Sequence, residues 1–116
     1  MLTFNGSTAS GNIDVGIYDL GGAKLVSIGS TAQAGTSAYQ VFDITDTTLY
    51  PGQYYMAVAM DGTTGTLVRW SPGAQECRNL AMQQMASAFP LPATATFASV
   101  ASSYIPWVFA SRRTTT

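Results

Sequence analysis

From position 12 to 18 the chain alternates. Ile13, Val15 and Ile17 fall on one side of an extended backbone, and Asn12, Asp14 and Gly16 on the other. Period two is the mark of a strand that buries one face. Asp19-Leu20-Gly21-Gly22 follows with turn chemistry, since glycine reaches positive φ without a Cβ clash. A second strand over 23–30 then completes a hairpin. Residues 31–37 read as a polar loop. Alternation resumes over 38–44, where Ala38, Gln40, Phe42 and Ile44 oppose Tyr39, Val41 and Asp43. Thr45-Asp46-Thr47-Thr48 breaks it, and Leu49-Tyr50-Pro51-Gly52 makes a tight turn with proline pre-setting φ. Residues 53–60 are apolar on both faces, with Tyr54, Met56, Val58 and Met60 against Tyr55, Ala57 and Ala59. That pattern predicts a central strand covered on both sides.

Asp61-Gly62-Thr63-Thr64-Gly65 is a hairpin loop, and 66–70 returns as a strand. Residues 74–88 lack β-branched side chains and carry Leu80, Met82 and Met85 among Gln and Ala. A short helix or irregular excursion fits them, ended by Pro90 and Pro92. Residues 93–100 and 107–111 are further strand candidates. With 2–4 included, about eight short strands are expected, which is the pattern of an antiparallel β-sandwich of jelly-roll type with at most one short helix. The chain has 116 residues, room for a single domain over 1–116.

Composition sharpens this. Hydrophobic residues make up 47% and charged residues 9%, against about 25% charged in ordinary domains. Serine and threonine fill 26 positions, so hydroxyls dominate the polar surface. Thr, Val and Tyr suit a pleated sheet. A net charge of −1 gives little electrostatic protection against association, so self-assembly is expected.

Several chemistries are excluded. The chain has no histidine, which removes a Ser-His-Asp triad, the usual general base and the commonest metal ligand. Glu76 is the one glutamate and sits beside Arg78, where a local ion pair or plain solvation is the simplest reading. Cys77 is alone, so an internal disulfide and a cysteine zinc site are impossible, and it reads as a small buried hydrophobe. Lys24, Arg69, Arg78, Arg112 and Arg113 are scattered and leave no nucleic-acid footprint. No apolar run reaches about 18 residues, so membrane insertion is not expected. Met1-Leu2-Thr3-Phe4 lacks the charged and apolar regions of a signal peptide.

Two weak sites stay open. Asp43 and Asp46 are calcium candidates, since Ca²⁺ collects loop oxygens, against the alternative that they bond their own backbone. Tyr50 and Trp107 adjoin prolines in expected loops and could stack on pyranose rings, whereas Tyr54 and Trp70, inside strands, read as packing residues. Asn5-Gly6-Ser7 matches a glycosylation sequon but reads as a turn.

Three stretches carry a resemblance: Gly-Asn-Ile-Asp-Val-Gly-Ile-Tyr-Asp over 11–19, Gly-Ser-Thr-Ala-Gln-Ala-Gly over 29–35, and Asp-Ile-Thr-Asp-Thr-Thr-Leu-Tyr-Pro-Gly-Gln-Tyr-Tyr over 43–55. With the Ser111-Arg112-Arg113 ending, they resemble a β-sandwich domain of bacteriophage virion proteins, tail- and fibre-associated ones especially. The resemblance implies a virion building block or attachment module, located in the virion, with no catalytic residue and no cofactor. Such domains usually carry a strand or two before this point. The resemblance thus implies either a short version of the domain or a missing strand supplied by a neighbouring chain, and because an unfilled sheet edge invites aggregation, edge pairing between subunits or with a partner is expected.

The expected function is a non-enzymatic phage structural protein of tail, fibre or capsid surface. Its partners would be copies of itself, other virion proteins and, in an attachment role, host surface glycans. Residues 31–37 and 61–65 would be its outward tips. The alternative is a carbohydrate-binding module with Tyr50 and Trp107 as its platform. A calcium-dependent adhesion domain is a third reading.

Overall fold

The computed structural model describes residues 1–86, 88–101 and 103–112; Arg113, part of the expected basic ending, lies outside them. The strands are β1 (Leu2–Phe4), β2 (Asn12–Asp19), β3 (Lys24–Ser27), β4 (Thr31–Ala32), β5 (Tyr39–Val41), β6 (Tyr54–Met60), β7 (Arg69–Trp70), β8 (Gln83–Gln84), β9 (Ala98–Ser99), β10 (Ile105–Pro106) and β11 (Val108–Phe109). One short helix, α1 (Ala74–Asn79), interrupts them and buries Cys77 as expected. The fold is all-β, with every described strand pair antiparallel. The strands form four sheets, and the C-terminal third contributes only two-residue rungs.

β2 is the centre of the four-stranded sheet. β3 and β4 share one of its edges, and β6 runs along the other from Asp19↔Tyr54 to Ile13↔Met60. The hairpin from β2 to β3 closes as its sequence predicts. The Asp19 carboxylate accepts the Ala23 N–H at 2.9 Å, and the Asp19 carbonyl accepts the Gly22 N–H at 3.2 Å. Gly22 has φ 90°, and a Cβ there would collide with the Ala95 carbonyl.

The alternation in β2 sorts its side chains but does not leave one face wet. Ile13 and Val15 are fully buried with Phe42, and Met1, Ile28, Ile44, Val58, Met60 and Leu67 pack around them. Asp14, Gly16 and Tyr18, on the opposite face, are buried too. They lie under the arm formed by residues 88–97. The Asp14 carboxylate accepts the backbone N–H of Gly29 at 2.9 Å and of Leu91 at 3.0 Å. The Tyr18 hydroxyl donates to the Pro92 carbonyl, and its ring meets Phe97 edge-on at 6.1 Å. Lys24 Nζ donates to the Leu91 carbonyl at 2.7 Å. A Cβ on Gly16 would collide with the Val26 carbonyl and the Ser27 Cβ of β3 and press on the Leu91 side chain of the arm, so the neighbouring strand and then the arm keep that position small.

β6 corrects the expectation of a central strand. Among the described residues its hydrophobic run pairs only with β2, so it is an edge strand, half-buried along most of its length with Met56 exposed. Apolarity on both faces reports cover above and below; it carries no information about strands alongside.

β1 is the middle strand of the three-stranded sheet, between β11 and β5. Among the described residues both its edges are therefore paired within the chain. Residues 31–37 are also more than a polar loop, because they open with β4 and then bury Gln33. Asn5, fully buried, is the reason. Its Nδ2 donates to the carbonyls of Ala34 (2.6 Å) and Gly35 (3.0 Å) and to Gln40 Oε1 (3.2 Å). Its Oδ1 accepts Gln33 Nε2 at 3.1 Å. Three amides thus tie β1, the 33–35 segment and β5 together, leaving only 34–37 as an exposed tip. The sequon's amide nitrogen is committed inside the protein.

Candidate functional site

The register of the three-stranded sheet decides which side chains share a face. Leu2 lies between Phe109 and Val41, Thr3 between Val108 and Gln40, and Phe4 opposite Tyr39. Thr3 and Gln40 point inward with Phe42, consistent with Thr3 at 0% exposure. Leu2, Phe4, Tyr39, Val41 and Phe109 therefore point outward together. Trp107 joins them at the β11 end: Phe4 N donates to its carbonyl at 3.3 Å, and the two rings meet edge-on with centroids 6.2 Å apart.

These side chains are well exposed: Tyr39 67%, Val41 65%, Phe109 51% and Trp107 45%. Six apolar residues on one sheet face present roughly 400–600 Å² of hydrophobic surface, at the upper end for the largest patch of a monomeric protein. None of the six is charged, and their side-chain polar groups are the Tyr39 hydroxyl and the Trp107 indole N–H. Such a face offers no carboxylate, imidazole or thiol. It can exclude water against another apolar surface.

The residues singled out in the sequence are dispersed. Trp107 belongs to this face. Tyr50 is exposed in the 42–53 segment, and its carbonyl accepts the Tyr54 hydroxyl at 2.6 Å. Tyr50 and Trp107 share none of the three principal cavities. Asp43 and Asp46 are exposed in the same 42–53 segment, where Thr47 Oγ1 donates to the Thr45 carbonyl at 2.9 Å. Among the described residues no three His, Cys, Asp or Glu gather as a metal site. Trp70, read as a core or interface packing residue, is 54% exposed on a two-residue rung paired with β10. Arg78 donates to Gln75 Oε1 at 3.1 Å. No described helix is long and apolar enough to cross a membrane.

Electrostatics mark two structural positions. Burial, and secondarily the Asp14 charge, raise the Tyr18 phenol above its ordinary value of 10.0. Hydrogen bonds from Asn12, first the backbone N–H (2.9 Å) and then Nδ2 (2.8 Å), lower the Asp61 carboxyl below its ordinary 3.8. That bridge ties the start of β2 to the loop after β6.

The outward set in β5 was readable in the alternation that buries Phe42. Its continuation through Leu2 and Phe109 was not, because that pairing joins opposite ends of the chain. No protein-family model matches the chain, and no curated protein or solved structure shows significant similarity to it.

Proposed function

We propose that this chain is a non-catalytic structural component of a phage virion, in the tail, a fibre or the capsid surface, and that it assembles through the outer face of the three-stranded sheet. The observation that carries the assembly reading is the uncharged patch of Tyr39, Val41, Trp107 and Phe109, backed by Leu2 and Phe4. A few hundred Å² of apolar surface forms the centre of a standard interface of about 800 Å² per partner. A net charge of −1 adds little repulsion between copies. The absence of histidine supports a role without acid–base catalysis at neutral pH.

The virion assignment rests on the resemblance carried by residues 11–19, 29–35 and 43–55. A two-layer jelly-roll arrangement belongs to the same reading, supported by the core that Ile13 and Val15 of one sheet share with Met1 and Phe42 beside the other. The exposed tips would be 34–37 and 61–64.

Light scattering after size exclusion tests the assembly claim, and detection of the chain in purified phage particles tests the virion claim. Concentration-dependent oligomers that Trp107→Glu makes smaller are the expected result. A strictly monomeric chain that binds a glycan array through Trp107 would replace this reading with the carbohydrate-binding one.

A further inference from the structure

We infer that the free edge of β6 is a strand-pairing site for the β6 edge of a second copy, in antiparallel register about a two-fold axis at Ala57. Asp61 N donates to the Asn12 carbonyl at 3.1 Å, and the β2–β6 register runs without a shift from there to Tyr54. In an antiparallel ladder, alternate residues bond to opposite neighbours. Tyr55, Ala57 and Ala59 therefore bond to β2, and the backbone groups of Tyr54, Met56, Val58 and Met60 point away from it. Among the described residues no strand and no loop backbone bonds to those four. An open groove of about 440 Å³ separates Val58, Ala59 and Met60 from Met85, Ala88 and Phe89, which form its other wall.

Such an edge is a template for another strand unless charge, proline or a bulge protects it. β6 reads Tyr-Tyr-Met-Ala-Val-Ala-Met, with none of these, and pairs with β2 without a bulge. Its sequence also fits itself. Antiparallel pairing centred on Ala57 uses all seven residues and sets Met56 against the second copy's Val58, and Tyr54 against its Met60. On the opposite face, Tyr55 meets the small Ala59 and Ala57 meets its own equivalent. All four outward residues find partners, through about eight hydrogen bonds. The two four-stranded sheets become one continuous sheet. A two-fold contact of this kind closes on itself, which leaves the Trp107 face free for higher assembly.

The surface differs from the Trp107 face, and the two share only the premise that copies associate. The test uses the full chain. At Ala57 the pairing is of the non-hydrogen-bonded type, with Cα atoms about 4.5 Å apart, within disulfide range. Ala57→Cys should oxidise to a covalent dimer. Ala59→Cys, which faces the second copy's Tyr55, should form no disulfide crosslink, and the buried Cys77 does not compete. Met56→Pro removes an outward N–H that β2 does not use, an allowed place for proline on an edge. In a Trp107→Glu background, where strand pairing is the remaining contact, it should abolish the dimer in sedimentation velocity with an unchanged far-ultraviolet spectrum. Trp107→Glu should leave the Ala57→Cys crosslink intact. A wild-type monomer at high concentration would overturn the inference, as would Ala57→Cys failing to crosslink. If Trp107-sensitive association persists without the crosslink, the strand pairing alone is refuted.

Discussion

The four-stranded sheet is covered on both faces, and the three-stranded sheet on one. β2 carries Ile13 and Val15 toward the shared core, and Asp14, Gly16 and Tyr18 toward the 88–97 arm. β1 carries Thr3 inward, while Leu2 and Phe4 face outward beside Tyr39, Val41 and Phe109. The difference inverts a simple hydropathy rule. Polar residues lie buried on the second face of one sheet, and apolar residues lie exposed on the second face of the other. A covered polar face needs hydrogen-bond partners from the covering chain, and Asp14 and Tyr18 have them. An uncovered apolar face needs nothing from its own chain, but it loses free energy against water until something covers it.

Breaking the covered side should have the largest effect. Asp14→Ala leaves the Gly29 and Leu91 N–H groups without their acceptor, and should cost about 3–5 kcal/mol in urea unfolding. Asp14→Asn, which keeps one acceptor oxygen, should cost clearly less. Asn5→Ala dissolves the amide cluster that fixes β1, 33–35 and β5, at about 2–4 kcal/mol. Loss of amide-exchange protection should then concentrate at Gln33, Ala34 and Gln40, leaving the β2–β6 ladder protected.

Tyr18→Phe removes only the hydrogen bond to Pro92, at about 1 kcal/mol at neutral pH. It should also change the alkaline limb. The folded protein holds the phenol above 10.0, so the native state binds its proton more tightly than the unfolded chain does. That stabilisation is full below pH 10 and is lost as pH rises through the raised value. Thermal melts of Tyr18→Phe should show a shallower alkaline decline than wild type. Asp61 behaves with the opposite sign and the smallest amplitude. Its lowered carboxyl stabilises the fold above the ordinary value of 3.8, and the effect disappears as pH falls through the depressed one. Asp61→Asn should lose that slight acid dependence, and equal acid limbs would contradict the Asn12 bridge.

Local patterning carried much of the fold. The hairpin from β2 to β3, the inward set Gln40 and Phe42 opposed to Tyr39 and Val41, the helix near Cys77 and the burial of Cys77 were all readable over a few residues. What was hidden depends on distant chain. Asp14 has the spacing of a solvent-facing residue, and only Leu91, far along the chain, makes its burial tolerable. Asn5 and Gln33 look like surface amides until they are seen to bond each other, with Asn5 also donating to Gln40. β6 looked central because side-chain patterning reports on faces, whereas being an edge is a property of the backbone. The candidate site was half visible. Trp107 and the Tyr39–Val41 alternation are local signals, but their union with Leu2 and Phe109 needs the chain's two ends in one sheet. Tyr50, chosen beside Pro51, falls outside it.

Sedimentation equilibrium of wild type against Tyr39→Glu/Phe109→Glu tests the uncovered face most directly. Exposed substitutions of this kind change monomer stability by only about 0.5 kcal/mol, so the melting curves should nearly coincide. Wild type should form assemblies larger than a dimer, and the variant should stop at the dimer. Identical mass distributions for the two proteins would show that the open sheet face takes no part in association.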